Sequence, residues 1–236
     1  RQMCIRDSIE TLGAILLTHS HWDHIGGLDY LHHYRYTPKV LDRKPLIPVY
    51  ATEPSLQDVL QHRGFHYLVT NAILQPYPIQ PGCSFSLGSL HITPFAVEHG
   101  QTAPGAVGFV FEEISDGQAH RVLYSGDFWA FTPPTDDFFC RDFDLVILEC
   151  NQWYPRNNGH ISLMEILDLL AHGPLSHANI RQLTLVHFSE YGPNGTRSSY
   201  QDWRDAIIAQ LKKHNLTHLV RDEDKLVAYE GLTFHY

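Results

Sequence analysis

Four side chains able to bind a metal ion fall within Thr18-His19-Ser20-His21-Trp22-Asp23-His24-Ile25-Gly26-Gly27, namely His19, His21, Asp23 and His24. Imidazole and carboxylate donors suit zinc, manganese or iron, and no thiolate is required. In extended backbone alternate side chains project the same way, so His19 and His21 can close on one cation while Asp23 and His24 turn toward a second. The segment follows Ala14-Ile15-Leu16-Leu17, an apolar run that reads as a buried strand. Gly26 and Gly27 let the backbone turn into a helix on which Leu28 and Leu31 face a core.

Other apolar runs end in the same chemistry. Leu87 to Val97 leads through Glu98 to His99, Ala119 to Tyr124 leads through Ser125-Gly126 to Asp127, and Leu183 to Val186 ends at His187. Asp144 to Leu148 ends at Glu149-Cys150, and Asn158-Gly159-His160-Ile161-Ser162 opens a helix over Leu163 to Ala171. Functional side chains gathered on the ends of rigid strands are a common way of building a site.

The run His19-x-His21-x-Asp23-His24 resembles the metal motif of the metallo-β-lactamase-fold hydrolases. That resemblance implies an α+β fold, an αββα sandwich of two mixed sheets flanked by helices, as one domain over 1–236. It also implies two divalent metal ions, zinc or manganese. His19, His21 and His99 would hold the first, Asp23, His24 and His187 the second, and Asp127 would bridge them. Two close cations lower the pKa of a shared water and offset negative charge as it develops.

Gly159-His160-Ile161-Ser162 at a helix start, after a strand ending in a carboxylate, resembles the phosphodiesterase branch of that superfamily. The resemblance implies catalytic roles for Asp23, His160 and Glu149, with His160 also binding substrate and protonating the leaving group, and Glu149 orienting it. Across most of the chain, motif order and the end Val227-Ala228-Tyr229-Glu230-Gly231-Leu232 are similar to the phosphoribosyl 1,2-cyclic phosphate phosphodiesterases of phosphonate metabolism in the carbon–phosphorus lyase pathway. Val186-His187-Phe188-Ser189 and the loop Tyr191 to Arg197 depart from that pattern. The expected reaction is hydrolysis of a small, cyclic or activated phosphodiester. The alternatives are a tRNA 3′-processing endoribonuclease and a lactonase or glyoxalase-type thioesterase, the last leaving Gly-His-Ile-Ser unexplained.

Composition narrows the partner. With 236 residues, 43% of them hydrophobic, the chain can bury a sizeable core. Its formal charge of −9, from 17 basic and 26 acidic residues, disfavours nucleic acid, because such binding rests on neutralising phosphates. No apolar run reaches the roughly 18 residues of a membrane span, and there is no secretory leader, so a cytoplasmic enzyme without a membrane partner is expected. Homodimers are common in the resembling family. Cys4, Cys83, Cys140 and Cys150 form no C-x-x-C pair and read as free thiols. Because relatives place several tens of residues before the metal motif, its arrival at position 19 suggests a shortened N-terminus, with Arg1 to Ser8 not native and any structural zinc of that segment missing.

The elements that must position these residues follow in order. The helix after the metal motif runs to about Tyr34, and Pro38 to Pro48 connects it to a strand at Ile47 to Ala51. Thr52 caps a helix bearing Leu56, Val59 and Leu60, closed by Gly64. Residues 65–82 read as strand fragments and loop. Ala106 to Ile114 and Ala119 to Tyr124 form a hairpin through Ser115-Asp116-Gly117. Ser199 to Lys213 reads as an amphipathic helix, and two short strands near His218 to Val220 and Leu226 to Tyr229 close the chain.

Overall fold

The computed structural model describes residues 12–32, 46–155, 159–189, 192, 195 and 197–228. Cys4, Asn158, the helix end near Tyr34, most of the connector from Pro38, Tyr191 and the closing residues from Tyr229 lie outside them. The fold is α+β with mixed sheets, and its contacts gather into two compact units, residues 1–80 with 101–106, and residues 81–100 with 107–236.

The first unit holds a parallel sheet of β1 (Ile15–Leu16), β2 (Ile47–Thr52) and β3 (Leu74–Ile79), in that order. Leu17, Ile25, Leu28, Leu31, Val49 and Leu68 belong to one buried apolar cluster. Each large aliphatic side chain so buried contributes about 1.5–3 kcal/mol. The helix after the metal motif is a single turn, Trp22–Ile25, continued as a 3-10 segment, Gly26–Leu31. Thr52 caps Glu53–Gln57 as expected, its side chain accepting from Ser55 N, and the chain then widens into a π turn, Asp58–His62.

Residues 65–82 differ from the sequence reading. His66–Thr70 is a helix, anchored by the fully buried Leu68, and β3 is one continuous strand. The helix carries no capping side chain, so tertiary packing rather than local propensity selects it. Pro76 and Pro78 are tolerated because β3 is an edge strand, where a missing N–H breaks no ladder.

The second unit is built on a seven-stranded sheet. Its members are β4 (Phe85–Leu87), β5 (Leu90–Glu98), β6 (Val107–Ser115), β7 (Gln118–Tyr124), β8 (Ala130–Thr132), and further along the chain Leu145–Glu149 and Leu183–Val186. A two-stranded parallel ribbon, Asp142–Phe143 with Asn179–Ile180, lies outside it. The short strand at 142–143 is β9, that at 145–149 is β10, that at 179–180 is β11 and that at 183–186 is β12. The run expected as one strand from Leu87 to Val97 is a hairpin, broken at Gly88-Ser89. The β6–β7 hairpin turns on Asp116 (φ 52) and Gly117 (φ 77), the paired positive angles a tight two-residue turn demands.

Direction within this sheet gathers the site. Strands β7, β10 and β12 are parallel neighbours, while β5 and β7 both run antiparallel to β6. Four strands therefore point their C-terminal ends the same way, carrying His99, Asp127, Glu149 and His187 to one edge. Behind them, Phe95, Phe128, Phe131 and Phe139 stack edge to face and face to face. The helices Leu163–Ala171 and Tyr200–Lys213 form as expected, both with capping boxes, and Trp203, Ile207 and Leu211 are buried. Where the first closing strand is expected the chain forms a 3-10 turn, Thr217–Leu219, with a single bridge from Val220 to Gln182; of the second, Leu226 to Tyr229, the described residues show one parallel bridge, Val227 to Leu185, following a 3-10 turn at Glu223–Lys225. Among the described residues no helix is long and apolar enough to cross a membrane. Cys83, Cys140 and Cys150 are free thiols.

Candidate metal centre

In the first unit the motif folds as the strand, turn and helix that its sequence describes. The fully buried His19 has its ring centroid 4.8 Å from that of His21 and 4.1 Å from that of His24. Asp23 lies in the helical turn Trp22–Ile25 with its carboxylate 3.6 Å from His24 Nε2. Two of the histidines have their second nitrogen against a hydroxyl, His19 Nδ1 at 3.1 Å from Thr18 Oγ1 and His21 Nε2 at 3.0 Å from Thr102 Oγ1. A ligand histidine is characteristically held this way, through the nitrogen that does not face the metal.

In the second unit His99, Asp127, Glu149, His160 and His187 come together from four strand ends and one helix start. One donor atom from each of Asp127, Glu149, His160 and His187 lies within 4.8 Å of the others. His99 Nε2 is 3.8 Å from Asp127 Oδ2, and both side chains are almost wholly buried. His99 Nδ1 lies 2.7 Å from the Gly159 carbonyl, which accepts its proton and leaves Nε2 on the Asp127 side. Gly159 has φ +83, and a Cβ there would stand 3.1 Å from the His99 carbonyl oxygen. Glycine is needed both for the angle and for the approach.

Glu149 is the hub. Its side chain is fully buried; Oε2 accepts from Phe128 N at 2.7 Å, while Oε1 meets His187 Nδ1 at 3.0 Å and His160 Nδ1 in a short hydrogen bond. Burial alone would lower the pKa of His160, but the Glu149 hydrogen bond and charge, with Asp127 beyond, raise it above the usual histidine value. His99 goes the other way, burial outweighing its partners and favouring the neutral, ligating form. His187 sits in left-handed backbone at φ 61. Such a conformation costs on the order of 1–3 kcal/mol and concentrates at functional positions. Burial and the neighbouring Glu149 charge hold Cys150 as a thiol, not a thiolate ligand.

The donor set of nitrogen and oxygen atoms in each unit fits divalent cations such as zinc or manganese. Sequence reasoning named the candidate ligands but not the groups that hydrogen-bond to their side chains. Thr18, Thr102 and the Gly159 carbonyl carried no signal, because a hydroxyl or carbonyl partner follows no spacing rule. Ser162, singled out within Gly-His-Ile-Ser, is engaged at the helix start: its Oγ accepts from Glu165 N at 3.3 Å and donates to Glu165 Oε2 at 2.6 Å.

The model of the β-lactamase superfamily domain matches residues 1–188. The chain belongs to this superfamily. Its sequence is 31% identical to an octanoyltransferase of Porphyromonas gingivalis over 110 residues, covering 43% of this chain and 20% of that protein. It is also 31% identical to the DNA cross-link repair protein pso2/snm1 of Schizosaccharomyces pombe over 125 residues, 52% of this chain and 18% of that one. The chain thus spans about a fifth of these two relatives. The probable metallo-hydrolase YhfI of Bacillus subtilis is 25% identical over 189 residues, 78% of this chain and 68% of its own.

Solved structures share the β-lactamase superfamily fold. The YhfI crystal structure superposes with a TM-score of 0.58 at 21% identity, covering 85% of this chain and 72% of that one. A diphosphatase from the PhnP family gives 0.57 at 24%, covering 78% and 63%. Superfamily membership supports a hydrolase, and its fold together with the histidine and aspartate clusters points to divalent metal ions.

Proposed function

We propose that the chain is a metal-dependent phosphodiesterase acting on a small, cyclic or activated phosphodiester. The observation that carries this reading is the pairing of the buried Glu149 with His160 beside Asp127. A carboxylate on Nδ1 fixes the tautomer and keeps His160 able to hold a proton on Nε2, as a group protonating a departing alkoxide must. A thioester hydrolase has less need of it, since a thiolate leaves unaided. Phosphonate metabolism, cytoplasmic location, a homodimer and a phosphoribosyl 1,2-cyclic phosphate substrate extend this proposal by family resemblance.

The ligand assignment is the one the motif resemblance carries, His19, His21 and His99 for one cation, Asp23, His24 and His187 for the other, with Asp127 shared. Zinc or manganese bound there supplies Lewis acidity toward the phosphoryl oxygens and an activated nucleophile at neutral pH. Asp127 would contribute negative charge offsetting cations held beside it. His160 contributes a donor for a non-bridging oxygen or the leaving group, and Glu149 holds it in register. The similarity to pso2/snm1 keeps a nuclease reading in play, and the acidic balance of the chain weighs against it.

Hydrolysis of bis(p-nitrophenyl) phosphate by the purified chain, reconstituted with manganese or zinc, tests the proposal. Turnover that collapses in His160→Ala while metal stays bound supports it. A metal-loaded protein that leaves the diester untouched and opens a lactone or thioester overturns it.

A further inference from the structure

Asp58, Arg63 and Thr102 stand outside the metal motif, in the first unit, and form a chain of contacts ending on His21. Thr102 Oγ1 lies 3.0 Å from His21 Nε2, and the Thr102 carbonyl accepts from Arg63 Nη2 at 3.4 Å. Arg63 Nε donates in turn to Asp58 Oδ2 at 3.1 Å, while His62 Nδ1 lies 2.9 Å from Asp58 Oδ1. Asp58 is nearly buried and begins the π turn Asp58–His62, an irregularity that recurs at functional sites. Burial pushes its carboxyl pKa up, but the Ser20 hydroxyl, His62 and the Arg63 guanidinium outweigh this and hold it below the usual value.

A ligand histidine presents one nitrogen to the metal, and the partner of the other nitrogen decides which one and at what angle. We propose that Thr102, clamped through its carbonyl by the Arg63–Asp58 pair, is the positioning residue for His21, engaging Nε2 and leaving Nδ1 to meet the cation. The inference rests on the reading of His21 as a metal ligand. His19 and His99 use a neighbouring hydroxyl and a backbone carbonyl for the same purpose. Thr102 differs in being exposed, on a turn 81 residues from its partner, and in having a built support behind it.

The test is zinc affinity of the full chain, measured by competition with a chromophoric chelator, for the parent, Thr102→Val, Thr102→Ser, Arg63→Met and His21→Ala. Thr102→Val should weaken binding by about 10-fold, the lower end of what loss of a group supporting a ligand costs, because water can partly take the place of an exposed hydroxyl. Thr102→Ser, which keeps the hydroxyl, should recover most of that loss, and Arg63→Met should give a smaller loss in the same direction. Because Thr102 is exposed, the thermal midpoint of metal-free Thr102→Val should match the parent. In cadmium-loaded protein with labelled histidines, coupling from the metal should reach His21 through Nδ1. Parent-like affinity in Thr102→Val, or coupling through Nε2, overturns the positioning role. Unchanged zinc stoichiometry in His21→Ala overturns instead the ligand reading beneath it.

Discussion

The histidines of the first unit and those of the second are held by different physics. In the first, His19 and His21 meet hydroxyls, one adjacent in sequence and one exposed on a turn. In the second, a fully buried carboxylate, Glu149, meets both His160 and His187, and a backbone carbonyl brought 60 residues along the chain fixes His99. A hydroxyl at the surface competes with water and can be replaced by it. A buried carboxylate has no such substitute, so its removal leaves two imidazoles without their partner in a low-dielectric pocket. The first arrangement tolerates repair and the second does not.

The sharpest test of that contrast is His160→Ala, which should lower diester turnover by about 10²–10⁴-fold, the usual contribution of a positioned proton donor. Metal analysis of the variant decides its meaning, since lost metal would turn His160 from a donor into a ligand. Glu149→Gln comes next, with a fall of about 10–100-fold in both turnover and zinc affinity, because the carboxylate supports His187 as well as His160. Comparing it with Thr102→Val in the same chelator assay would break the contrast if the exposed hydroxyl proved the costlier loss.

A smaller effect is expected at Gly159. Alanine there must adopt φ +83 and bring a Cβ to 3.1 Å from the His99 carbonyl, so Gly159→Ala should destabilise by about 1–2 kcal/mol in urea unfolding. The mildest prediction lies away from the metal ligands, at Asp144. Burial raises its carboxyl pKa, yet Arg121 N–H at 3.0 Å, Arg181 Nη1 at 2.6 Å and the nearby His120 bring the net value below normal. A carboxylate with a depressed folded-state pKa binds fewer protons folded than unfolded, so its stabilisation is complete above the ordinary aspartate range near pH 4 and fades as acid titrates the folded form. The urea midpoints of Asp144→Asn and the parent should therefore differ at neutral pH and converge below about pH 3. A gap that widened with acid would show that the pair is not acting as an ion pair.

Sequence reading succeeded where the information is local. The metal motif, the Asp116-Gly117 turn, the Thr52, Ser162 and Ser199 helix starts and the buried strand before Glu149 all rest on residues within a few positions of one another. It failed where packing overrides propensity. The helix His66–Thr70 has no capping side chain, the prolines of β3 argue against a strand that only its edge position allows, and a 3-10 turn, Thr217–Leu219, takes the place of the strand expected near His218.

The residue types and spacing by themselves mark His19, His21, Asp23, His24, His99, Asp127 and His187 as candidate donors for divalent cations. They also placed His99, Asp127, Glu149 and His187 on strand ends. Only the tertiary structure decided that the strands bearing those last four run the same way, that Glu149 serves two histidines, and that Thr102 backs His21. The reason is physical. A ligand is identified by its own donor atoms, which the sequence prints, whereas its support is any acceptor that the fold happens to bring within hydrogen-bond distance, and nearly every residue has one to offer.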